Sequence, residues 1–310
     1  MRVQHGRATV SRSPVRGRQV RHFAVTTPVP RGRAGARGVR PALTAPRPIA
    51  DARAHWGGAR TSAISGGRVL DDLAGLGPFF AVSSHPSGAA PVPPWRPVGE
   101  LLRPSGLMAD RIASVRAALA KRGDLGLDAI EPRVAASAVH LGLTARLAAP
   151  VLGAAVLGCP LDVRPGGLWW QEVTSGPVPL SAPAPAPGAR ADGPGPAPDD
   201  WDRVLFDEVL APVTAAIARL VPVSGRVLWG NVASAVNAAA VQVAGQRPDL
   251  AGDAWQAASR LLGSPWLRAE RQPPGPAFRR SSCCLFYRLQ AQGNQSAVCG
   301  DCVLGGRRAR

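Results

Sequence analysis

The sequence predicts a helix-dominated α+β fold, with a helical body that ends in a small cysteine-rich module. Apolar residues recur at helical spacing in several long segments, whereas candidate strands are few and short. A hydrophobic content of 45% in 310 residues is sufficient for a buried core. Four of the five cysteines lie within residues 281–306, which sets the carboxyl end apart from the body.

The first two long helices are predicted from apolar periodicity. Residues 106–122 carry apolar side chains at roughly helical spacing. Residues 133–157 are almost wholly apolar apart from His140 and Arg146, which is typical of a buried central helix. Proline removes a backbone donor, so we expect this helix to break near Pro150.

In the second half of the body, segments that disfavour helix alternate with predicted helices. Residues 166–173 are a candidate strand, and residues 176–200 form a Pro/Ala/Gly-rich segment expected to be a loop. A helix is predicted over 201–220. In 225–245 we expect a short apolar strand, a turn at Gly230 and an Ala-rich helix. A last helix is expected after Pro248, and the body then ends near residue 270.

Positive charge is concentrated at the amino end. The formal net charge is +17, and residues 1–60, with thirteen arginines and the single acid Asp51, account for twelve of these charges. A Gly/Pro/Arg mixture cannot bury enough surface to fold, so residues 1–68 are expected to be a disordered basic tail, with Val69 as a candidate alternative start. Arginine replaces lysine almost everywhere, which is typical of GC-rich coding. No nucleic-acid partner is expected.

No segment is expected to span a membrane. The longest apolar stretch, 147–161, has about fifteen residues, fewer than the ~20 that a spanning helix needs, and it contains two prolines. We expect no signal-peptide core near the amino end. The prediction is a cytoplasmic protein, with peripheral association with a membrane left open.

The cysteine module contains Cys283, Cys284, Cys299 and Cys302. Two thiolates spaced like Cys299 and Cys302 can reach one metal ion, and Gly300 between them removes a side chain that would crowd the turn. Adjacent cysteines in a regular strand point to opposite faces, so Cys283 and Cys284 can share one centre only where the backbone is irregular. A two-iron cluster is a larger target than a zinc ion. The residues leave open a [2Fe-2S] cluster, zinc or disulfides, the last disfavoured in a reducing cytoplasm.

The stretch "RRSSCCLFYR…CGDCVL" resembles the C-terminal motif of FhuF-type ferric siderophore reductases, in which a C-C-x10-C-x2-C pattern binds a [2Fe-2S] cluster. The gap between Cys284 and Cys299 is four residues longer here, and the polar segment 290–296 is expected to hold the extra residues as a loop. The segments "LDDLAGLGPFF", "RVAASAVHLGLTARLAAPVLG" and "RVLWGNVASAV" also resemble the actinobacterial branch of this family, so the resemblance covers roughly 69–305.

The resemblance implies a domain plan and an activity. It divides the chain into a reductase-like body at 69–270 and a [2Fe-2S]-binding module at 275–305, with the four cysteines of the module as iron ligands and no further catalytic residue. The implied function is one-electron reduction of siderophore-bound Fe(III), which releases Fe(II). No flavin or nicotinamide motif is apparent, so the electrons are expected to come from another protein. Arg279, Arg280 and Arg288 are candidates for raising the cluster potential, or else form a solvated basic face.

Two other classes of protein stay open. One is a zinc-binding four-cysteine protein with a nucleic-acid-binding or structural role. The other is a siderophore-binding protein whose cluster is structural. Among the remaining residues, we expect Cys159 to be a buried small hydrophobe, His140 a hydrogen-bonded core histidine, Asn231 and Ser234 helix-capping residues, and Tyr287 to pack over the cluster.

Overall fold

The computed structural model describes residues 66–159, 161–173, 176–184, 200–270, 272–289 and 299–304. Apart from its last three residues, the predicted tail lies outside these ranges, as does 185–199 of the predicted loop. Within the described ranges the fold is helix-dominated, with one small sheet, and this confirms the predicted α+β class. The predicted division into tail, body and module stays a prediction.

Helix α3 is the centre of the body. It follows α1 (Gly66–Gly75) and α2 (Gly106–Gly123), and it runs over Pro132–Val156 with proline in its first turn. It packs against α1 and α2, and most extensively against α6 (Gly225–Gln246). Burial around most of its circumference matches the prediction of a central helix.

The predicted break near Pro150 is wrong, because α3 continues through this residue. Pro150 is itself buried, and nearby Gly153 allows close contact with α1. A Cβ at Gly153 would lie 2.8 Å from side-chain atoms of both Leu73 and Phe80. Packing on all sides therefore stabilises the helix despite the missing backbone hydrogen bond.

The prediction for residues 225–245 is also wrong in its first half. The segment forms one helix, α6, without a strand or a turn at Gly230. Gly230 is buried in the middle of α6, where its missing side chain makes room for the cysteine segment described below. The glycine that suggested a turn is thus a close-packing glycine.

The other helical segments agree with the sequence. Residues 201–220 are helical throughout, as α4 (Trp201–Arg203), a π-helical stretch (Val204–Leu210) and α5 (Ala211–Leu220). A 3₁₀ turn leads into α7 (Ala251–Leu262). The π-helical stretch, which the sequence did not indicate, buries five apolar side chains in the core.

Four short strands form one sheet beside the helices, in the order β1 (Ser83–His85), β4 (Leu180–Pro183), β3 (Trp169–Trp170) and β2 (Arg96–Pro97). β1 and β4 are parallel, and the other two pairs are antiparallel. Strand β3 confirms the candidate strand in 166–173. Strand β4 corrects the prediction that 176–200 is entirely loop.

Two helices, α3 and α6, are long and apolar enough to cross a membrane by length and composition. The sequence analysis identified neither helix, because it compared only the longest uninterrupted apolar stretch with the ~20 residues that a spanning helix needs. However, 78% of the apolar window in α3 and 61% of that in α6 are buried inside the protein, as in the core helices of a soluble protein. This burial gives no support to a membrane span, and the predicted compartment stays a prediction.

Candidate metal centre

The first half of the cysteine motif lies against the ends of α3 and α6. The Ser137 hydroxyl in α3 donates to the carbonyl of Cys284 at 2.9 Å. The Ser282 hydroxyl donates to the carbonyl of Arg226 in α6 at 2.7 Å. These bonds attach the segment to the two best-packed helices of the body.

The second half of the motif returns beside the first. The Arg280 backbone N–H donates to the carbonyl of Asp301 at 3.1 Å, which joins the two halves directly. The Cys302 N–H donates to the carbonyl of Cys299 at 3.0 Å and closes a tight turn between these cysteines. A Cβ at Gly300 would meet no atom within 4 Å, so the predicted crowding at this position is not found among the described residues.

The structure brings one cysteine from each half of the motif, Cys284 and Cys299, into direct contact. Cys284 and Cys302 are buried, whereas Cys283 and Cys299 are partly exposed. The Sγ atoms of Cys284 and Cys299 are 3.4 Å apart, and none of the chain's cysteines forms a disulfide. Burial raises the pKa of Cys283, and the hydrogen bond with Cys284 raises the pKa of Cys299; the charge of Cys302 acts in the same direction on both.

The backbone around the adjacent cysteines is irregular, as the sequence predicted. Leu285, directly after the pair, has a φ of 71°, in the left-handed region that non-glycine residues seldom occupy. The Leu285 N–H consequently donates back to Cys283 Sγ at 3.3 Å, and the Phe286 N–H donates to Cys284. In the other half, the Leu304 N–H donates to Cys302 Sγ at 3.3 Å.

The thiols differ in acidity. A hydrogen bond from the Cys299 thiol, helped by the Phe286 N–H and the charge of Arg280, lowers the pKa of Cys284 to about 6. The same contact raises the pKa of Cys299, so the two sulfurs share one proton. Burial raises the pKa of Cys283. Metal binding must displace these protons, because the thiolate is the ligand form.

Arg280 is a buried member of the site. Its side chain is only 1% exposed, and its Nη2 donates to Asn231 Oδ1 at 2.8 Å and to the carbonyl of Val227 at 3.1 Å. Asn231 in turn donates to the carbonyl and hydroxyl oxygens of Ser137 at 3.1 Å. Arg280, Asn231 and Ser137 thus form a buried hydrogen-bonded chain from the cysteine segment to α3. We call it the Arg280 network.

The Arg280 network corrects one prediction and refines another. Asn231 lies inside α6 and does not cap a helix, and neither does Ser234. The predicted basic face is divided: Arg280 is buried, Arg279 is exposed, and Arg288 pairs with Glu131 of the loop before α3 at 2.5 Å. Nothing in the local sequence distinguishes Arg280 from Arg279, because burial depends on contacts with α6.

Three other predictions concern single residues. His140 is a hydrogen-bonded core histidine, as predicted: it is fully buried and bonds Thr214 Oγ1 through Nε2 at 2.9 Å. Cys159 packs against the core but is only partly buried, so that prediction is confirmed in part. Tyr287 lies against Arg288, and its predicted position over a cluster stays a prediction.

The cysteine segment carries the donor types that an iron–sulfur cluster uses. Among the described residues, no three His, Cys, Asp or Glu side chains converge closely enough to hold one ion. A single zinc ion needs four ligands at about 2.0–2.3 Å from one point, whereas the ligands of a two-iron cluster are divided between two iron atoms. The four thiols, with N–H donors at three of them, are the ligand set and hydrogen-bonding environment typical of an iron–sulfur cluster.

Residues 280–304 match the family model described as the FhuF 2Fe-2S C-terminal domain. The match supports membership of the FhuF-type family, which confirms the resemblance that the cysteine motif indicated. It begins at Arg280 and includes all four clustered cysteines. A comparison with curated proteins found no match.

Proposed function

We propose that this chain, which carries a FhuF 2Fe-2S C-terminal domain, is a cytoplasmic ferric siderophore reductase. Cys283, Cys284, Cys299 and Cys302 are the proposed ligands of a [2Fe-2S] cluster. The observation that supports the proposal is the contact between Cys284 and Cys299, at 3.4 Å between their sulfurs, which joins the two halves of the motif within the segment that matches the domain.

A [2Fe-2S] cluster supplies single electrons, and the proposed substrate is Fe(III) held by a siderophore. Reduction by one electron gives Fe(II), which the hard oxygen ligands of the chelate bind more weakly, so the metal is released. Each electron delivered must be replaced by a separate electron-donor protein. No group on this chain has to move a proton for the reaction to occur.

The residues of the chain prepare the site for this chemistry. The N–H groups of Leu285, Phe286 and Leu304 donate to sulfur and stabilise negative charge there. The hydroxyl of Ser137 fixes the backbone at Cys284. Because Cys283 and Cys299 are partly exposed, an electron needs only a short path between the site and a docked chelate.

The proposed activity is tested with the full chain purified without oxygen. The protein is reduced with dithionite, freed of excess reductant, and mixed with a ferric trihydroxamate or a ferric triscatecholate chelate in separate experiments. We expect the visible absorption of the oxidised protein to return while an Fe(II)-specific chromogenic chelator reports one Fe(II) per electron delivered. A protein that bleaches with dithionite and is reoxidised by air but by neither chelate would instead be one whose cluster is structural.

A further inference from the structure

The guanidinium of Arg280 is buried without an ion-pair partner in the described part of the chain. Arg288 and Arg260, by contrast, each pair with a carboxylate. The groups that accept hydrogen bonds from it are neutral: the carbonyls of Ser282 at 2.6 Å and Val227 at 3.1 Å, and the Asn231 side chain. Nη1 is buried and finds no hydrogen-bond partner among the residues that the structure describes.

An uncompensated buried charge is costly, and a side chain of this kind is ordinarily paired or solvated. A neutral residue of similar size could pack against α6 without that cost. The fold instead builds the Arg280 network around the guanidinium and leaves Gly230 without a side chain beside it. This arrangement indicates that the positive charge itself has a role at this place.

The charge lies beside the sulfurs. Arg280 precedes Cys283 by three residues, and its backbone N–H binds Asp301, which lies between Cys299 and Cys302. The guanidinium Nε donates to the carbonyl of Ser282, directly before the adjacent cysteine pair, at 2.6 Å, so the charged group is held next to Cys283.

We propose that Arg280 is a positioning residue that sets the reduction potential of the metal centre by offsetting the negative charge of the four thiolates. This inference rests on the proposed function. One-electron reduction adds a negative charge to the site, and a fixed positive charge in a low-dielectric interior stabilises that reduced form. Asn231 holds the guanidinium in place and contributes no charge of its own.

The test is the midpoint potential of the centre in anaerobically purified full-length protein, measured by dithionite titration with redox mediators. Arg280→Gln removes the charge and keeps an amide donor for Asn231. We expect the equilibrium constant for one-electron reduction to fall at least tenfold, which corresponds to 59 mV. Arg280→Lys keeps the charge, so its equilibrium constant for reduction should stay within about threefold of the wild-type value.

Arg279→Gln is the matched control, because it removes the same charge from the exposed neighbouring residue. Its equilibrium constant for one-electron reduction should change less than about twofold, since solvent screens an exposed charge. If Arg280→Gln changes the potential no more than Arg279→Gln does, the proposal is overturned.

A second variant decides the question if Arg280→Gln does not retain its metal centre. Asn231→Asp keeps the arginine and places a carboxylate at its Nη2, so the potential should fall here too. An unchanged potential in this variant would overturn the proposal. A wild-type protein that contains no inorganic sulfide would refute the proposed function instead, so the two failures are distinguishable.

Discussion

Gly230→Ala should destabilise the attachment of the cysteine segment to α6. An added Cβ would lie 2.1 Å from Ser282 Oγ and 2.8 Å from Arg280 Nη2. Neither atom can move away freely, because Ser282 Oγ donates to Arg226 and Arg280 Nη2 donates to Val227 and Asn231. The substitution must therefore break hydrogen bonds or shift the segment.

The expected loss of unfolding free energy follows from the hydrogen bonds that the added Cβ would disturb. Losing the Ser282 bond costs about 1 kcal/mol, and weakening the charged Arg280 bonds costs about 2 kcal/mol. Alanine gains about 1 kcal/mol over glycine in helix propensity. The expected net loss of unfolding free energy is about 2 kcal/mol, which corresponds to a fall in Tm of roughly 4–8 °C for a body of this size. The iron content per chain should fall together with the unfolding free energy.

The assay is thermal unfolding followed by far-UV circular dichroism, together with iron content per chain. Gly245→Ala is the control: Gly245 is exposed near the end of the same helix, and a Cβ there would meet no atom within 4 Å. That variant should gain up to about 1 kcal/mol. If Gly230→Ala matched the Gly245→Ala variant in Tm and iron content, the close contact between α6 and the cysteine segment would be refuted.

Three further predictions concern other parts of the molecule. Cys302→Ser should abolish the cluster, measured by visible absorption, while most of the helical circular dichroism remains; complete unfolding would show that the centre is a structural staple. Burial, helped by the charge of Arg280, lowers the pKa of His140 to about 3, so only the unfolded chain binds this proton between about pH 6.5 and 3. Stability should therefore fall by roughly 2 kcal/mol from about pH 6.5 to 5 in denaturant titrations, and His140→Gln should lose this part of the slope; equal slopes would contradict it. Gly153→Ala should cost about 1–3 kcal/mol because its Cβ would clash with Leu73 and Phe80, and a rise in Tm would contradict that packing.

The helices that the sequence predicted best are those whose signals are local. Residues 106–122 and the segment after Pro248 combine apolar periodicity with clear starts, and both form helices. The errors at Pro150 and Gly230 have a common cause. Local propensity argues for a break at each residue, but packing against distant elements decides the outcome, and those contacts cannot be read along the chain.

The same distinction holds at the candidate site. Cysteine spacing predicted that the two halves of the motif would meet, and Cys284 and Cys299 do so; the full set of Cys283, Cys284, Cys299 and Cys302 as ligands stays a prediction. The Arg280 network could not be predicted, because Ser137 and Asn231 are far from Arg280 in the sequence. Asn231 looked like a capping residue only because a helix was expected to begin beside it.

Iron and acid-labile sulfide analysis of the anaerobically purified full chain tests the central claim most directly. The proposed ligand set predicts about two iron atoms and about two sulfides per chain, with both lost in Cys302→Ser. Protein that contains no inorganic sulfide, and about one zinc ion per chain instead, would contradict it.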